Sequence, residues 1–204
     1  MVEASTTDIS EGGSSVQTGA ELRQLTVLFC DLVRSSELSR QMDPERMSAL
    51  LRDYQNCVSG EIARYNGHVA KFMGDGVLAY FGWSSAHEDD VEQAVRSGLA
   101  VISAVQRLTD PAGTQLQSHV GIATGLVVVG DLVGNEEARE RVVTGETPNL
   151  AARLQEVANP NSLLVSEVTA KLCRPAHWFR GWFERWRFHS DKLSSGRLYD
   201  GSKS

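Results

Sequence analysis

No stretch of this sequence approaches the roughly 18 consecutive apolar residues of a membrane-spanning helix, so no bilayer crossing is expected within it. Cysteine is scarce and scattered. Cys30, Cys57 and Cys173 form no CxxC pair, which suits small core residues in a reducing compartment. A surplus of positive charge is also missing. The 20 Lys and Arg against 26 Asp and Glu give a formal net charge of −6, which argues against a nucleic-acid or membrane-surface partner. An acidic protein still binds an anionic nucleotide where metal ions supply the local positive charge. The N-terminus lacks a basic stretch followed by an apolar one, so no secretory signal is read and the expected location is cytoplasmic. What is present, 41% hydrophobic and 23% charged residues in a chain of 204, is the balance of a globular protein with room for one sizeable core.

Residues 1–21, rich in Ser, Thr, Gly and acid, read as a disordered tail. Leu25–Cys30 is a short apolar run that reads as a buried strand ending at Asp31. Asp43 and Pro44 open a helix whose face carries Met47, Leu50, Leu51, Tyr54, Val58, Ile62 and Tyr65, at steps of three and four. His68–Phe72 and Val77–Phe81 flank the turn Gly74-Asp75-Gly76 and read as a hairpin. A second helix is expected from near His87, with Val91, Val95, Leu99 and Ile102 on its apolar face. Gln117–Thr124 and Leu126–Val129 read as strands hinged at Gly125, Pro148–Val157 as a third helix, and Ser162–Val165 as a last strand. This order is the βαββαβ pattern of an α+β, ferredoxin-like fold, an antiparallel-rich sheet with helices packed on one face. The organisation is thus a tail over 1–21, a domain over 22–173 and a divergent segment over 174–204.

In that fold the first strand and the hairpin are sheet neighbours, so Asp31 and Asp75 converge at one edge. Two hard carboxylate ligands shared by two magnesium or manganese ions suit a metal-assisted phosphoryl or nucleotidyl transfer. From the residues alone, a strand-end cap for Asp31 and an ordinary turn role for Asp75 stay equally open.

Four segments, in order over roughly residues 22–172, carry a resemblance. Thr26-Val27-Leu28-Phe29-Cys30-Asp31-Leu32-Val33 resembles the first strand of class III adenylyl and guanylyl cyclases. The run from Lys71 through Gly74-Asp75-Gly76 to Phe81 resembles their metal-binding hairpin. His119–Gly125 and Gly145–Leu154 resemble two later family segments. The resemblance implies an adenylyl cyclase that forms 3′,5′-cyclic AMP and pyrophosphate from ATP. The ribose 3′-hydroxyl attacks the α-phosphorus, assisted by two Mg2+ or Mn2+ ions per site. It assigns Asp31, Asp75 and the carbonyl of Leu32 to the metals, and Asn149 and Arg153 to the ribose and the reacting phosphate. Lys71 and Val142 stand at the purine-reading positions, and Phe29 and Gly74 belong with the substrate-binding residues. Lys71 favours ATP, since an ammonium donates to adenine N1 whereas the Glu of guanylyl cyclases accepts from guanine. The family's site forms between two subunits, with Asp31 and Asp75 from one and Lys71, Asn149 and Arg153 from the other. A homodimer with two equivalent sites is therefore implied. Relatives also carry regulatory domains outside the catalytic unit; none is visible in this sequence.

The sequence departs from the family at three places. Val142 stands where a polar partner for the base is usual, and Thr144 reads as one strand step off the matching face. Leu126 stands where some relatives place a phosphate-binding Arg; Arg139 and Arg141 read as residues of a solvated loop ahead of substitutes for that Arg. The segment after Leu172 gathers Trp178, Trp182 and Trp186 among arginines. It lacks the family's Leu-Lys-Gly-like close, and only Lys192 is near the expected place. That segment reads as a divergent hairpin or altered terminus ahead of a dedicated binding surface. The competing functional readings are a catalytically weak, nucleotide-binding dimerisation module and a guanylyl cyclase. A cyclic-dinucleotide synthase fits less well, because the turn lacks a GGDEF-like pattern.

Overall fold

The structure is a computed structural model that describes residues 20–131, 141–173, 187–189 and 198–200. The elements run β1 (Glu21–Leu32), α1 (Ser35–Gln41), α2 (Pro44–Arg64), β2 (His68–Met73), β3 (Gly76–Phe81), α3 (Asp90–Val105), β4 (Ser118–Asp131), β5 (Arg141–Thr144), α4 (Glu146–Val157), β6 (Leu163–Val165), α5 (Glu167–Leu172), β7 (Arg187–His189) and β8 (Leu198–Asp200). They build one eight-stranded sheet in the order β2-β3-β1-β4-β6-β8-β7, with β5 paired to β4 beside that path. The β4-β1-β3-β2 half is antiparallel and has the ferredoxin-like order. The β4–β6 pair is parallel.

Alternation along the strands sorts two cores onto the two faces of the sheet. Leu28, Cys30, Val77, Phe81, Val120 and Ile122 lie on one face, under Tyr54, Val58 and Ile62 of α2 and Val95, Val101 and Ile102 of α3. Val27, Tyr80, Ala123 and Val127 lie on the other, under Ala151 and Leu154 of α4. Both helices of the βαββαβ unit thus share one face. The third, which follows that unit, covers part of the opposite one. Tyr54, Val58 and Ile62 have no exposed surface, and burying each contributes roughly 2 kcal/mol.

The local chemistry explains the helix ends. Asp43 caps α2 by accepting from the Arg46 N–H at 2.9 Å, and Pro44 takes the first turn, where its missing N–H costs nothing. Ser166 caps α5 by accepting from the Thr169 N–H at 3.2 Å. The periodicity reading passes over α1, α5 and β5, all too short for a hydrophobic period to register. α3 begins at Asp90 rather than near His87, because the Asp90 carboxylate accepts from the His87 N–H at 2.7 Å and closes the preceding turn.

Gly125 is not a hinge. β4 runs through it without a break, paired to Leu25. A Cβ there would lie 2.6 Å from the Thr147 hydroxyl, so the position serves the close approach of α4. Gly121 does the same one turn further along, where a Cβ would overlap the Ala151 carbonyl and the Gln155 N–H.

Candidate active site

Asp31 is the penultimate residue of β1, on the face shared with Val27 and Phe29. Asp75 occupies the two-residue turn that joins β2 to β3, where Met73 pairs with Gly76. That turn needs a left-handed first residue, and Gly74 supplies it at φ 67. Because β3 and β1 are direct neighbours, the turn lies beside the end of β1, and the Asp31 and Asp75 carboxyls come within hydrogen-bonding reach of each other. Burial first, and then the Asp75 carboxyl, push Asp31 up to about 7; the Leu32 N–H, donating to Asp31 Oδ1 at 3.0 Å, works in the opposite direction. Two half-buried carboxyls so arranged repel when both are ionised, and a cation between them removes the conflict.

The donor set is two hard carboxylates. No cluster of three or more His, Cys, Asp or Glu side chains suited to a metal occurs among the described residues. Such a pair fits Mg2+ or Mn2+, which keep waters and phosphate oxygens as their remaining ligands, and does not fit zinc, which takes three or four protein ligands. His119, the Cα partner of Asp31 on β4, is turned to other work. Its Nδ1 lies 3.3 Å from the Ala158 carbonyl and its Nε2 2.7 Å from Gln155 Nε2. With the proton on Nδ1 the ring donates to Ala158 and accepts from Gln155, so both bonds form at once. Cys30, beside Asp31, faces the opposite core, where burial pushes its thiol up to about 12, so it is no nucleophile.

Lys71, Leu78 and Phe29 are partners in one row across β2, β3 and β1. Lys71 is exposed at the end of that row, on the sheet face that carries Asp31. Phe29 is half-buried, and its ring lies 3.5 Å from where a Gly76 Cβ would be. Asn149 and Arg153 stand one helical turn apart on the exposed side of α4, away from Ala151 and Leu154. Among the described residues neither has a hydrogen-bond or ion-pair partner. The structure therefore brings Asp31, Leu32, Gly74 and Asp75 together and sets Asn149 and Arg153 looking outward.

Val142 and Thr144 sit two apart in β5, opposite Gly130 and Val128. The side chain of Val142 lies outside the described residues. The Thr144 hydroxyl reaches the Val128 carbonyl at 3.5 Å. Leu126 is 61% exposed on β4. Arg139, the three tryptophans of 178–186 and Lys192 lie outside the described residues, as does the side chain of Arg141. The described parts of the 174–204 segment are β7 and β8, which pair antiparallel and join the sheet through β6.

Sequence reasoning passed over Gln55. Its side-chain Nε2 donates to the Gly74 carbonyl at 2.8 Å, tying α2 to the turn that carries Asp75. The only sequence signal for it is its place next to Tyr54, off the apolar stripe of α2.

Comparison with known proteins agrees with this fold. The chain is 39% identical over 170 residues to an uncharacterized protein of Rhizobium meliloti, a match that covers 82% of this chain and 16% of that protein. It spans only about a sixth of that relative's length. The crystal structure of the guanylyl cyclase Cya2 superposes with a TM-score of 0.76 at 25% identity, covering 89% of this chain and 93% of that one. That of the adenylyl cyclase CyaB from P. aeruginosa gives 0.73 at 27% identity, covering 91% and 96%. The adenylate and guanylate cyclase catalytic domain family matches residues 19–185, and the chain belongs to it.

Proposed function

We propose that this protein is an adenylyl cyclase that forms 3′,5′-cyclic AMP and pyrophosphate from ATP at a site completed by two copies of the chain. The observation that carries the reading is the meeting of Asp31 and Asp75 at one sheet edge. Asp31, Asp75 and the Leu32 carbonyl hold the divalent ions. When bound, Mg2+ or Mn2+ supplies Lewis-acid stabilisation of the attacking and leaving oxygens.

The chain's own residues do the rest. By holding the ions, the carboxylates would set where the triphosphate sits, and so bring the ribose 3′-oxygen in line with the α-phosphorus. Arg153 of the partner copy faces the reacting phosphate and stabilises the negative charge that develops there. Asn149, on the same helix face, orients the ribose. Lys71 donates to adenine N1. The exposure of Asn149 and Arg153 supports the two-copy arrangement, because outward-facing polar groups suit a site on another chain. The side chain of Val142 offers the base no hydrogen bond, so preference for ATP over GTP rests on Lys71 and is modest; GTP is the rival substrate. The whole pattern also suits a cytoplasmic catalytic unit, with residues 22–173 as its body and 174–204 as a divergent close.

The test is a turnover assay with ATP and with GTP, with Mn2+ and with Mg2+, across protein concentration. Cyclic AMP formation that rises faster than linearly with protein, and is lost in Asp31→Ala, supports the proposal. Nucleotide binding without product at high protein and Mn2+ favours the catalytically weak module instead.

A further inference from the structure

Helix α2 contacts the residue that precedes each metal-site aspartate, through two consecutive residues of its own. Tyr54, fully buried, places its hydroxyl 3.2 Å from the Sγ of Cys30, the residue before Asp31. Gln55 donates from Nε2 to the carbonyl of Gly74, the residue before Asp75, at 2.8 Å. The two aspartates lie far apart in the chain, and their separation depends on how the β2–β3 turn sits against the end of β1. We infer that α2 is the gauge that sets this separation, and that Gln55 is a positioning residue for the divalent-metal site.

The two arms are unequal, and the inequality makes the inference testable. Cys30 lies mid-sheet, held by β3 on one side and β4 on the other, so the Tyr54 bond adds little to its placement. The Gly74-Asp75 turn has no such support. It projects past the last paired residues of its hairpin, and a Cβ at Gly74 would meet nothing within 4 Å. The carbonyl that Gln55 holds belongs to the peptide plane joining Gly74 to Asp75. Fixing that plane fixes the direction from which the Asp75 side chain leaves the backbone. Gly74, free of a Cβ at φ 67, would otherwise let the plane rotate. The bond is exposed, so losing it threatens the fold little. Tyr54 is the reverse: its loss damages the core and leaves the turn in place.

This inference rests on the reading that Asp31 and Asp75 bind divalent metal, and the experiment separates the two. The 15N-labelled full chain is titrated with Mn2+ alone, and paramagnetic broadening of the Leu32 and Gly76 amides is followed alongside the melting temperature. Asp75→Ala is the control for the metal site. Gln55→Ala is expected to raise the Mn2+ concentration for half-broadening about three- to tenfold, the effect of one lost hydrogen bond, with the melting temperature nearly unchanged. Gln55→Lys, which keeps a donor, recovers part of that loss. Tyr54→Phe lowers the melting temperature more than Gln55→Ala does and shifts the Mn2+ titration less. Loss of broadening in Asp75→Ala with a wild-type titration for Gln55→Ala overturns the gauge. Unchanged broadening in Asp75→Ala overturns the metal reading, and the gauge with it.

Discussion

Two regions of the molecule carry its candidate chemistry, and they are built on opposite plans. The edge that joins β1 to the β2–β3 turn is closed within the chain: Asp31 and Asp75 reach each other, Leu32 anchors one, and Gln55 anchors the turn of the other. The outer side of α4 is open. Asn149 and Arg153 are held rigidly by a helix seated on Gly121 and Gly125, yet their side chains face away from the sheet. A half-site whose groups already satisfy a geometry is where a ligand is gripped. A half-site presented on a rigid, outward helix is one that completes something else. On the proposed function, the same chain offers both parts of one site, pointing in different directions.

The largest effect expected from breaking this contrast is at the closed edge. Asp75→Ala should lower cyclic AMP formation by more than about a hundredfold, measured at saturating ATP and Mn2+, while circular dichroism reports an intact fold. At the open face, Arg153→Ala should cost about a hundredfold in kcat with little change in ATP binding, because the charge it answers develops in the transition state. A loss confined to KM would move Arg153 to ground-state binding. Lys71→Glu is milder. It should cut ATP turnover about tenfold, as expected for one misplaced hydrogen-bonding group, without a matching gain for GTP, since Val142 adds no partner for guanine. A clean switch to GTP would mean that Lys71 alone sets the base.

A separate effect is on stability. Asp31 sits at about 7 in the folded chain, well above the ordinary carboxylate value of 3.8. The folded state thus holds this proton more tightly than the unfolded state between those limits. The unfolded chain binds fewer protons there, so metal-free stability falls as pH rises across that window and levels off above it. Melting temperatures in chelator should decline over this range, and the decline should flatten in Asp31→Asn or with Mn2+ added. A profile identical in all three would remove the apposed carboxyls from the account.

Much of this was legible in the residues. The period of Leu50, Tyr54, Val58 and Ile62 marked the buried stripe of α2, and Asp43-Pro44 marked its start, because caps and periodicity are local chemistry. The order of elements sufficed to make β1 and the hairpin neighbours. What the pattern could not carry was contact between elements. Gly125 reads as a hinge until Thr147 is seen above it, and Gln55 reads as a solvated polar residue until its amide meets Gly74. Short elements were lost for a related reason: α1, α5 and β5 hold too few residues for a period. The split of helices between the two faces is likewise a property of the assembled sheet.

Mixing is the most direct trial of the claim that one chain supplies the closed half of a site and another the open half. Asp75→Ala and Arg153→Ala, each inactive alone, are combined in equal amounts and assayed with ATP and Mn2+. Random pairing makes half of the dimers mixed, each with one of its two sites intact, so activity should return to about a quarter of wild type. No recovery, from variants that demonstrably exchange partners, would contradict the arrangement.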